Sequence, residues 1–221
     1  MKLAIVGYGK MGRLIEQLAP EYGFSVHDRI DASDDVGRIE NADVAIEFTA
    51  PGATVWNVET LAALGIPVVV GTTGWLAEME RVRRAVILHD TALVWSPNFS
   101  IGLAVFVRVV REAARLLATD PRYGAWAWEI HHETKTDAPS GTLLKLVQEM
   151  HAAGYSREID IASNRAGTHP GTHEIGFDSA ADTITLKHSA RSREGFARGA
   201  LTAAQWIIGK KGVFEFSQIL F

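Results

Sequence analysis

The chain has 221 residues, of which 47% are hydrophobic and 22% charged, so it can bury a core and lacks the composition of a disordered or membrane protein. Lys and Arg total 22 against 26 Asp and Glu, and the net charge of -4 excludes a broad basic field for non-specific nucleic-acid binding. Cysteine is absent, which excludes disulfides and thiolate catalysis and favours a reducing compartment such as the cytoplasm.

The first hundred residues alternate short apolar runs with segments of helical periodicity. Runs typical of buried parallel strands occur at 3–6, 24–26, 44–48, 68–70 and 92–95. Helices are predicted between them, each after a loop with Gly, Thr or Pro, at 10–19, 53–64 and 75–88. This alternation predicts a doubly wound, Rossmann-like α/β sheet.

The pattern changes after Asn98. A long amphipathic helix is predicted from about Ser100 to Ala118, with one shared face formed by Ile101, Ala104, Val105, Val109 and Ala113. A strand, a helix and two alternating strands follow at 125–130, 140–152, 174–177 and 183–188. Together they predict an α+β domain with an open mixed sheet.

The C-terminal segments have no core of their own. They comprise a predicted helix at 195–208 and the tail GKKGVFEFSQIL, which we expect to pack back onto the first domain. The predicted boundaries are therefore residues 1–99 with 196–221 for one domain, and residues 100–195 for the other.

A glycine-rich loop directly follows the first predicted strand. Gly7, Gly9 and Gly12 form the G-x-G-x-x-G pattern, which binds the pyrophosphate of a dinucleotide when a strand precedes it and a helix follows. The helix N-terminus offers free N–H groups and a positive dipole to the phosphates. The whole loop, including Tyr8, Lys10 and Met11, is predicted to bind the cofactor, so the first domain is interpreted as the dinucleotide-binding one.

An acidic and a basic residue lie at the position where the adenosine ribose of a dinucleotide is expected to bind. Asp28 lies close to the spacing of about 20 residues at which an acidic side chain binds the ribose hydroxyls. Its neighbour Arg29 offers a guanidinium to a 2′-phosphate, so the pair predicts tolerance of both NADH and NADPH. A solvated charge pair at a strand end is the alternative interpretation.

Two further loops leave the carboxyl edge of the predicted sheet, where ligands of open α/β folds bind. They contain small residues and hydroxyls that suit close passage of a cofactor, although ordinary turns share this composition. The predicted cofactor contacts are Phe48, Thr49, Gly71, Thr72 and Thr73.

The densest group of titratable residues is the segment EIHHETKTDAPSGT at 129–142. His131 and Lys135 leave a strand end together, and either could supply the proton that must accompany hydride addition to an imine or alkene. Ser140 is a plausible helix cap, and the amides of Gly141 and Thr142 suit a carboxylate. A surface loop with solvated charges before a capped helix fits the same residues.

This segment closely resembles the signature of the 4-hydroxy-tetrahydrodipicolinate reductase family. The likeness spans almost the whole chain and takes in GYGKMG, EFTAP, GTTGW, SPNFSIG, THEIGF, SREGFARGA and GKKGVFEF. It implies reduction of a cyclic dicarboxylate by NADH or NADPH on the route to diaminopimelate and lysine. It also implies a homotetramer assembled through the sheet of the second domain.

The resemblance also implies residue roles. His131 and Lys135 match the acid–base pair, and His132 matches a substrate contact. The substrate carboxylates would be gripped by residues matching Ser140, Gly141 and Thr142 together with Arg193, for which Arg191 is a rival. The nicotinamide pocket would be lined by Gly71, Thr72, Thr73, Ser96, Pro97, Asn98 and Phe99.

Two other functions stay open on the sequence. A related amino- or imino-acid dehydrogenase, such as an aspartate dehydrogenase, would reuse the nucleotide fold with another pocket. A non-catalytic dinucleotide sensor would not need His131 and Lys135. No H-E-x-x-H or C-x-x-C motif occurs, and Pro170 and Gly171 separate His169 from His173, so no metal site is predicted.

Overall fold

The computed structural model describes residues 1–221 and divides into two compact units. The first contains Met1–Ile101 and Arg193–Phe221, and the second contains Gly102–Ser192. None of the helices combines the length and the apolar character that crossing a bilayer requires.

The first unit is built on a six-stranded parallel sheet. Its strands are β1 (Lys2–Val6), β2 (Ser25–Ile30), β3 (Val44–Glu47), β4 (Val68–Val70), β5 (Ala92–Trp95) and β10 (Gly212–Glu215). They lie in the order β10-β5-β4-β3-β1-β2, and every neighbouring pair is parallel. The chain turns from β2 back across β1 to β3, so the switch point of the sheet lies between β1 and β3.

Helices cover both faces of this sheet. They are α1 (Lys10–Leu18), α2 (Pro51–Ala63), α3 (Met79–Leu88), α6 (Glu194–Ile207) and the short α7 (Phe216–Ile219). One core contains Leu3, Ile15 and Leu201, and the other contains Val58 and Val82. Because β3 and β4 are covered on both sides, their residues are all buried, and apart from Glu47 at the end of β3 they are all apolar.

The second unit contains the mixed sheet. Its strands are β6 (Gly124–His131), β7 (Ile159–Arg165), β8 (Thr172–Asp178) and β9 (Thr183–Ser189), in the order β7-β6-β8-β9. β6 is parallel to β7 and antiparallel to β8, which is antiparallel to β9. Helices α4 (Ile101–Leu117) and α5 (Gly141–Ala152) contribute side chains to a core that includes Ala127 and Ile175.

The structure confirms the fold class and corrects several details. The buried stripe of α4 is Leu103, Phe106, Val110 and Ala114, whereas Val105 and Val109 are exposed. The predicted face was therefore wrong by about one position, because apolar residues occur on both sides of this helix. The C-terminal tail does join the first unit, where β10 extends the sheet beside β5.

Candidate active site

A cavity of about 450 Å³ opens at the carboxyl edge of the parallel sheet. It lies where the loops after β1, β3 and β4 meet, which is the expected ligand position at a switch point. Eight of the seventeen predicted cofactor contacts line it, together with Pro51, which was not predicted. The full set is Gly9, Lys10, Met11, Phe48, Thr49, Pro51, Gly71, Thr72 and Thr73.

The glycine-rich loop passes close to the end of β3. Gly7 has a positive φ of 96°, and a Cβ there would lie 1.9 Å from the main-chain oxygen of Phe48. A Cβ at Gly12 would lie 2.3 Å from the oxygen of Gly7, so α1 can approach β1 only with glycine at this position. A Cβ at Gly9, by contrast, would meet no atom within 4 Å, which leaves room for a phosphate.

The loops after β3 and β4 are held together beneath this cavity. The Thr49 amide donates to Oγ1 of Thr72 at 2.7 Å, and the Thr49 hydroxyl donates to the carboxylate of Glu47. Glu47 is fully buried, and its Oε1 also lies within hydrogen-bonding distance of Thr54 and Asn57. Burial raises the pKa of Glu47 despite these donors, and its Oε2 has no partner.

A cluster of charges surrounds Arg29, which the sequence predicted to contact the cofactor. Arg29 donates from Nε to Oε1 of Glu16 at 2.8 Å and from Nη2 to the same oxygen, while the Tyr8 hydroxyl donates to the other oxygen of Glu16. These hydrogen bonds, first of all that from Arg29, lower the pKa of Glu16. Asp28 lies inside β2 and not at its end, and its Oδ2 is buried without a partner.

The segment after β5 forms a compact turn. Ser96 donates to the main-chain oxygen of Asn98 at 2.7 Å, and the Asn98 side chain accepts from the Ser100 amide at 2.9 Å. Phe99 is 1% exposed, with its ring against Phe48 and Phe216. The ring of Phe99 therefore belongs to the core. Ser96, Pro97, Asn98 and Phe99 do not line the cavity described above.

In the second unit, the loop between β6 and α5 is built around Glu129. This carboxylate is fully buried and accepts from the amide and hydroxyl of Ser140, from Ser163 at 3.0 Å and from Arg165 at 3.0 Å. Burial alone would raise the pKa of Glu129, but the hydrogen bonds from Ser140, Arg165 and Ser163 outweigh it, and the net shift is downward.

Arg165, the last residue of β7, also forms hydrogen bonds with the same loop. Besides Glu129, its guanidinium reaches the main-chain oxygen of Lys135 at 3.3 Å and donates to that of Asp137. These contacts fix the backbone on both sides of Thr136. The loop that carries Lys135 is therefore tied to the sheet at several points.

Two imidazoles lie against Glu129. His131 and His173 have ring centroids 5.1 Å apart, and their nearest nitrogens are 3.6 Å and 3.4 Å from the Glu129 carboxylate. Burial lowers the pKa of both histidines, in the case of His173 to about 4. The Nδ1 atoms of both rings have no hydrogen-bond partner.

Lys135 lies on the more accessible side of the loop. Its Nζ donates to Oδ1 of Asp137 at 2.6 Å, and its side chain is 25% exposed. The hydrogen bond from Lys135 is the largest of the effects that lower the pKa of Asp137, and the Gly141 amide also contributes. A carboxylate thus already lies between the Lys135 ammonium and the N-terminus of α5.

The remaining predicted substrate residues have different surroundings. Ser140 is 2% exposed and caps α5, because its hydroxyl accepts from the Leu143 amide at 3.2 Å while it bonds to Glu129. His132 is half-buried, with its Nδ1 2.7 Å from the Thr134 hydroxyl. Arg191 and Arg193 are both exposed, the first in the second unit and the second at the start of α6 in the first unit.

Glu129, His131 and His173 also place three potential metal-ligating atoms within 4.8 Å of one another. The Glu129 carboxylate, however, already accepts from Ser140 and Ser163 and is paired with the positive guanidinium of Arg165. A cation bound there would have to compete with that guanidinium. The group is better explained as a hydrogen-bonded support for the loop.

Two family models together match nearly the whole chain. The model described as "Dihydrodipicolinate reductase, N-terminus" matches residues 1–99, and that described as "Dihydrodipicolinate reductase, C-terminus" matches residues 102–220. The chain belongs to the dihydrodipicolinate reductase family. It is therefore an oxidoreductase that uses a nicotinamide cofactor, as the sequence predicted.

Curated relatives agree with this family. The 4-hydroxy-tetrahydrodipicolinate reductase of Christiangramia forsetii is 34% identical over 235 residues, which cover 100% of this chain and 98% of the relative. The reductase of the same name from Archaeoglobus fulgidus is 33% identical over 261 residues, which cover 100% of both chains.

Solved structures show the same fold. A dipicolinate-bound dihydrodipicolinate reductase from a Paenisporosarcina species superposes with a TM-score of 0.84 at 20% identity, covering 100% of this chain and 99% of the other. An amine dehydrogenase from Mycobacterium smegmatis superposes less well, with a TM-score of 0.66 at 9% identity, and covers 98% and 95%. The dehydrogenases are therefore more distant than the reductases of this family.

Several residues that hold the loop between β6 and α5 were not predicted. Glu129 was included in the titratable segment without a role, and Arg165 lies on β7, a strand that was not predicted at all. His173 was considered only as a partner of His169 in a metal pair. The register pairs Glu129 with Ser163 across β6 and β7 and with His173 across β6 and β8, so a correct strand alignment would have identified both neighbours.

Proposed function

We propose that this protein reduces 4-hydroxy-tetrahydrodipicolinate to tetrahydrodipicolinate in the diaminopimelate and lysine pathway. In this reaction one hydride and one proton are added to the substrate and one water molecule leaves. The nicotinamide cofactor supplies the hydride when it is bound. The observation that carries the assignment of roles is the loop between β6 and α5, which holds the Lys135 ammonium beside the first turn of a helix.

Lys135 is the proton donor in this proposal. Its side chain is 25% exposed, whereas the His131 side chain is 10% exposed and has a lowered pKa because of its burial. A buried neutral imidazole is a poor acid near neutral pH, while an ammonium on a fixed loop can reach a ligand. In this proposal His131 stays neutral and packs beneath the loop that carries Lys135.

The substrate carboxylates are assigned to the start of α5 and to one arginine. The amides of Gly141 and Thr142 lie in the first helical turn, where N–H groups have no intrahelical acceptor and the helix dipole favours an anion. The Gly141 amide faces the Asp137 carboxylate, which a substrate carboxylate would replace there. Arg193 is proposed to bind the second substrate carboxylate, with Arg191 as the alternative, and His132 is a further proposed substrate contact. A cyclic dicarboxylate fits this set, and dipicolinate is what the Paenisporosarcina relative binds.

The cofactor is assigned to the cavity of the first unit. Three features fit a dinucleotide: the tight turn at Gly7, the open space at Gly9, and the unpartnered buried oxygen of Asp28, which can accept from a ribose hydroxyl. We propose that NADH and NADPH both bind there, with Arg29 as the contact for a 2′-phosphate. Ser96, Pro97, Asn98 and Phe99 shape the nicotinamide end mainly through their backbone.

We further propose a homotetramer in the cytoplasm. The sheet of the second unit carries Trp126 and Trp128 half-buried on one face, beside Asp160, Glu174 and Lys187, around a shallow cavity of about 510 Å³. A sheet face with aromatic and charged residues suits a subunit contact. Sedimentation would test the tetramer, and cell fractionation would test the location.

The experiment that tests the function is a direct assay. The purified protein would be given freshly generated 4-hydroxy-tetrahydrodipicolinate with NADH or NADPH, and loss of the dihydronicotinamide absorbance would be followed. We expect turnover with at least one cofactor and none when the substrate is omitted. Binding of cofactor without turnover would contradict the proposal and would instead favour a dinucleotide sensor.

A further inference from the structure

Arg29, the predicted contact for a 2′-phosphate, is already engaged by another residue. Its Nε and Nη2 both donate to Oε1 of Glu16, and the Tyr8 hydroxyl donates to Oε2 of the same carboxylate. Glu16 lies on α1, which begins at the glycine-rich loop, and Tyr8 lies in that loop. One carboxylate therefore links the phosphate-binding loop to the ribose-binding strand.

The charges around this position disfavour an additional dianion. The Arg29 guanidinium is already paired with the Glu16 carboxylate, so little positive charge remains there for a phosphate. Two other guanidinium groups lie nearby. Cζ of Arg13 is 5.8 Å from the centroid of the Tyr8 ring, and Arg38 donates to the main-chain oxygen of Arg29 at 3.2 Å while it pairs with Asp34 at 3.1 Å. A 2′-phosphate would have to displace Glu16 from Arg29 and approach the Glu16 carboxylate, whereas a 2′-hydroxyl needs only an acceptor such as Asp28.

We propose that Glu16 is a specificity-determining residue, which holds Arg29 in an internal ion pair and thereby favours NADH over NADPH. The inference rests on the proposed function only in assuming that the cavity binds a nicotinamide dinucleotide. It gives a reason, within this chain, why an arginine at this position does not by itself create a preference for the phosphorylated cofactor.

The test compares cofactor binding in the absence of substrate. Dissociation constants for NADH and NADPH would be measured by dihydronicotinamide fluorescence for the wild type and for Glu16→Gln, which keeps an acceptor for Tyr8 and removes the negative charge. Because an exposed ion pair has modest strength, we expect the NADPH affinity to rise roughly three- to tenfold relative to the NADH affinity. The gain should shrink as ionic strength rises.

A matched control exists in the same unit. Glu59 forms an ion pair with Arg81 at 2.6 Å, and the exposed fractions of Arg81 and Glu59, 52% and 25%, resemble the 44% and 27% of Arg29 and Glu16. Glu59→Gln makes the same change of net charge on α2. It should leave the ratio of the two dissociation constants within about twofold, since surface charges act weakly over distance.

A double variant tests whether the gain in NADPH affinity depends on Arg29. In Glu16→Gln with Arg29→Met the gain in NADPH affinity should disappear, whereas a gain that persists would point to Arg13 or Arg38 and overturn the proposal. An unchanged ratio in Glu16→Gln, or an equal shift in Glu59→Gln, would also overturn it. Failure of the proposed function is distinguishable, because the protein would then bind both cofactors as described and still not oxidise them with the substrate.

Discussion

Nη2 of Arg165 lies 3.0 Å from Oε1 of Glu129, and this ion pair joins the last residue of β7 to the middle of the neighbouring strand. The Glu129 side chain is fully buried and that of Arg165 is 16% exposed. The same guanidinium contacts the main chain at Lys135 and Asp137. The position of the proposed proton donor therefore depends on a pair of charges behind the loop.

Replacing one partner of this pair should destabilise the protein. Glu129→Gln leaves Arg165 largely buried without a counter-ion and weakens the cap of α5, so we expect a loss of about 2–4 kcal/mol in the free energy of unfolding. Urea denaturation measures it. As a control, Glu149→Gln removes the partner of Arg111 from an exposed ion pair at 3.3 Å and should cost less than about 1 kcal/mol. Equal losses would contradict the structural role of Glu129.

The buried His173 should make stability depend on pH. Burial is the main cause of its lowered pKa of about 4 against an ordinary 6.5, and the charged or titratable groups near it are His131, Glu129, His188 and Lys135. The unfolded chain therefore binds a proton that the folded chain does not, between about pH 6.5 and 4. The contribution of neutral His173 to the free energy of unfolding is fully present above that pH range. It is lost as pH falls through the range, by roughly 1 kcal/mol per pH unit.

His173→Asn tests this dependence. Free energies of unfolding measured from pH 7 to pH 4 should fall less steeply in the variant than in the wild type. The exposed His89 provides the control, since His89→Asn removes a histidine from the surface of the first unit. A variant that retains the full wild-type slope would show that His173 is not the group responsible.

Glu47 should give a pH dependence of opposite sign. Burial raises the pKa of its carboxyl, so its contribution to stability is present at low pH and is lost as pH rises above the ordinary value of 4.5. Glu47→Gln resembles the protonated acid and should become increasingly stable relative to the wild type as pH rises above the ordinary value of 4.5. Thermal unfolding at several pH values measures this, and a constant difference would contradict it.

The sequence predicted most of the fold because its strongest signals are local. Val68–Val70 and Ala92–Trp95 are continuous apolar runs, and the structure has strands with the same bounds. Ile159–Arg165 was missed because only its first two covered positions, Ile159 and Ile161, are apolar. The next two, Ser163 and Arg165, are polar, so the alternation of apolar and polar residues is too short to mark a strand. The wrong face of α4 has a similar cause, since periodicity alone does not show which of two apolar stripes is covered.

Only the parts of the site that lie within short sequence motifs were predicted. The loops containing Gly9, Thr49 and Thr72 line one cavity, because parallel strands bring their carboxyl ends to the same edge. Apart from Ser140, the partners of Glu129 come from β7 and β8, more than thirty residues away in the chain. Such contacts depend on strand register, which a motif does not encode.

The most direct test of the central claim is the turnover of Lys135→Met, measured with NADH binding in the same preparation. Lys145→Met, an exposed lysine on α5, is the control. We predict that Lys135→Met binds NADH like the wild type but reduces 4-hydroxy-tetrahydrodipicolinate roughly 100- to 10,000-fold more slowly, the range expected when a general acid is removed. A rate within a few-fold of the wild type would contradict the assignment of Lys135 as the proton donor.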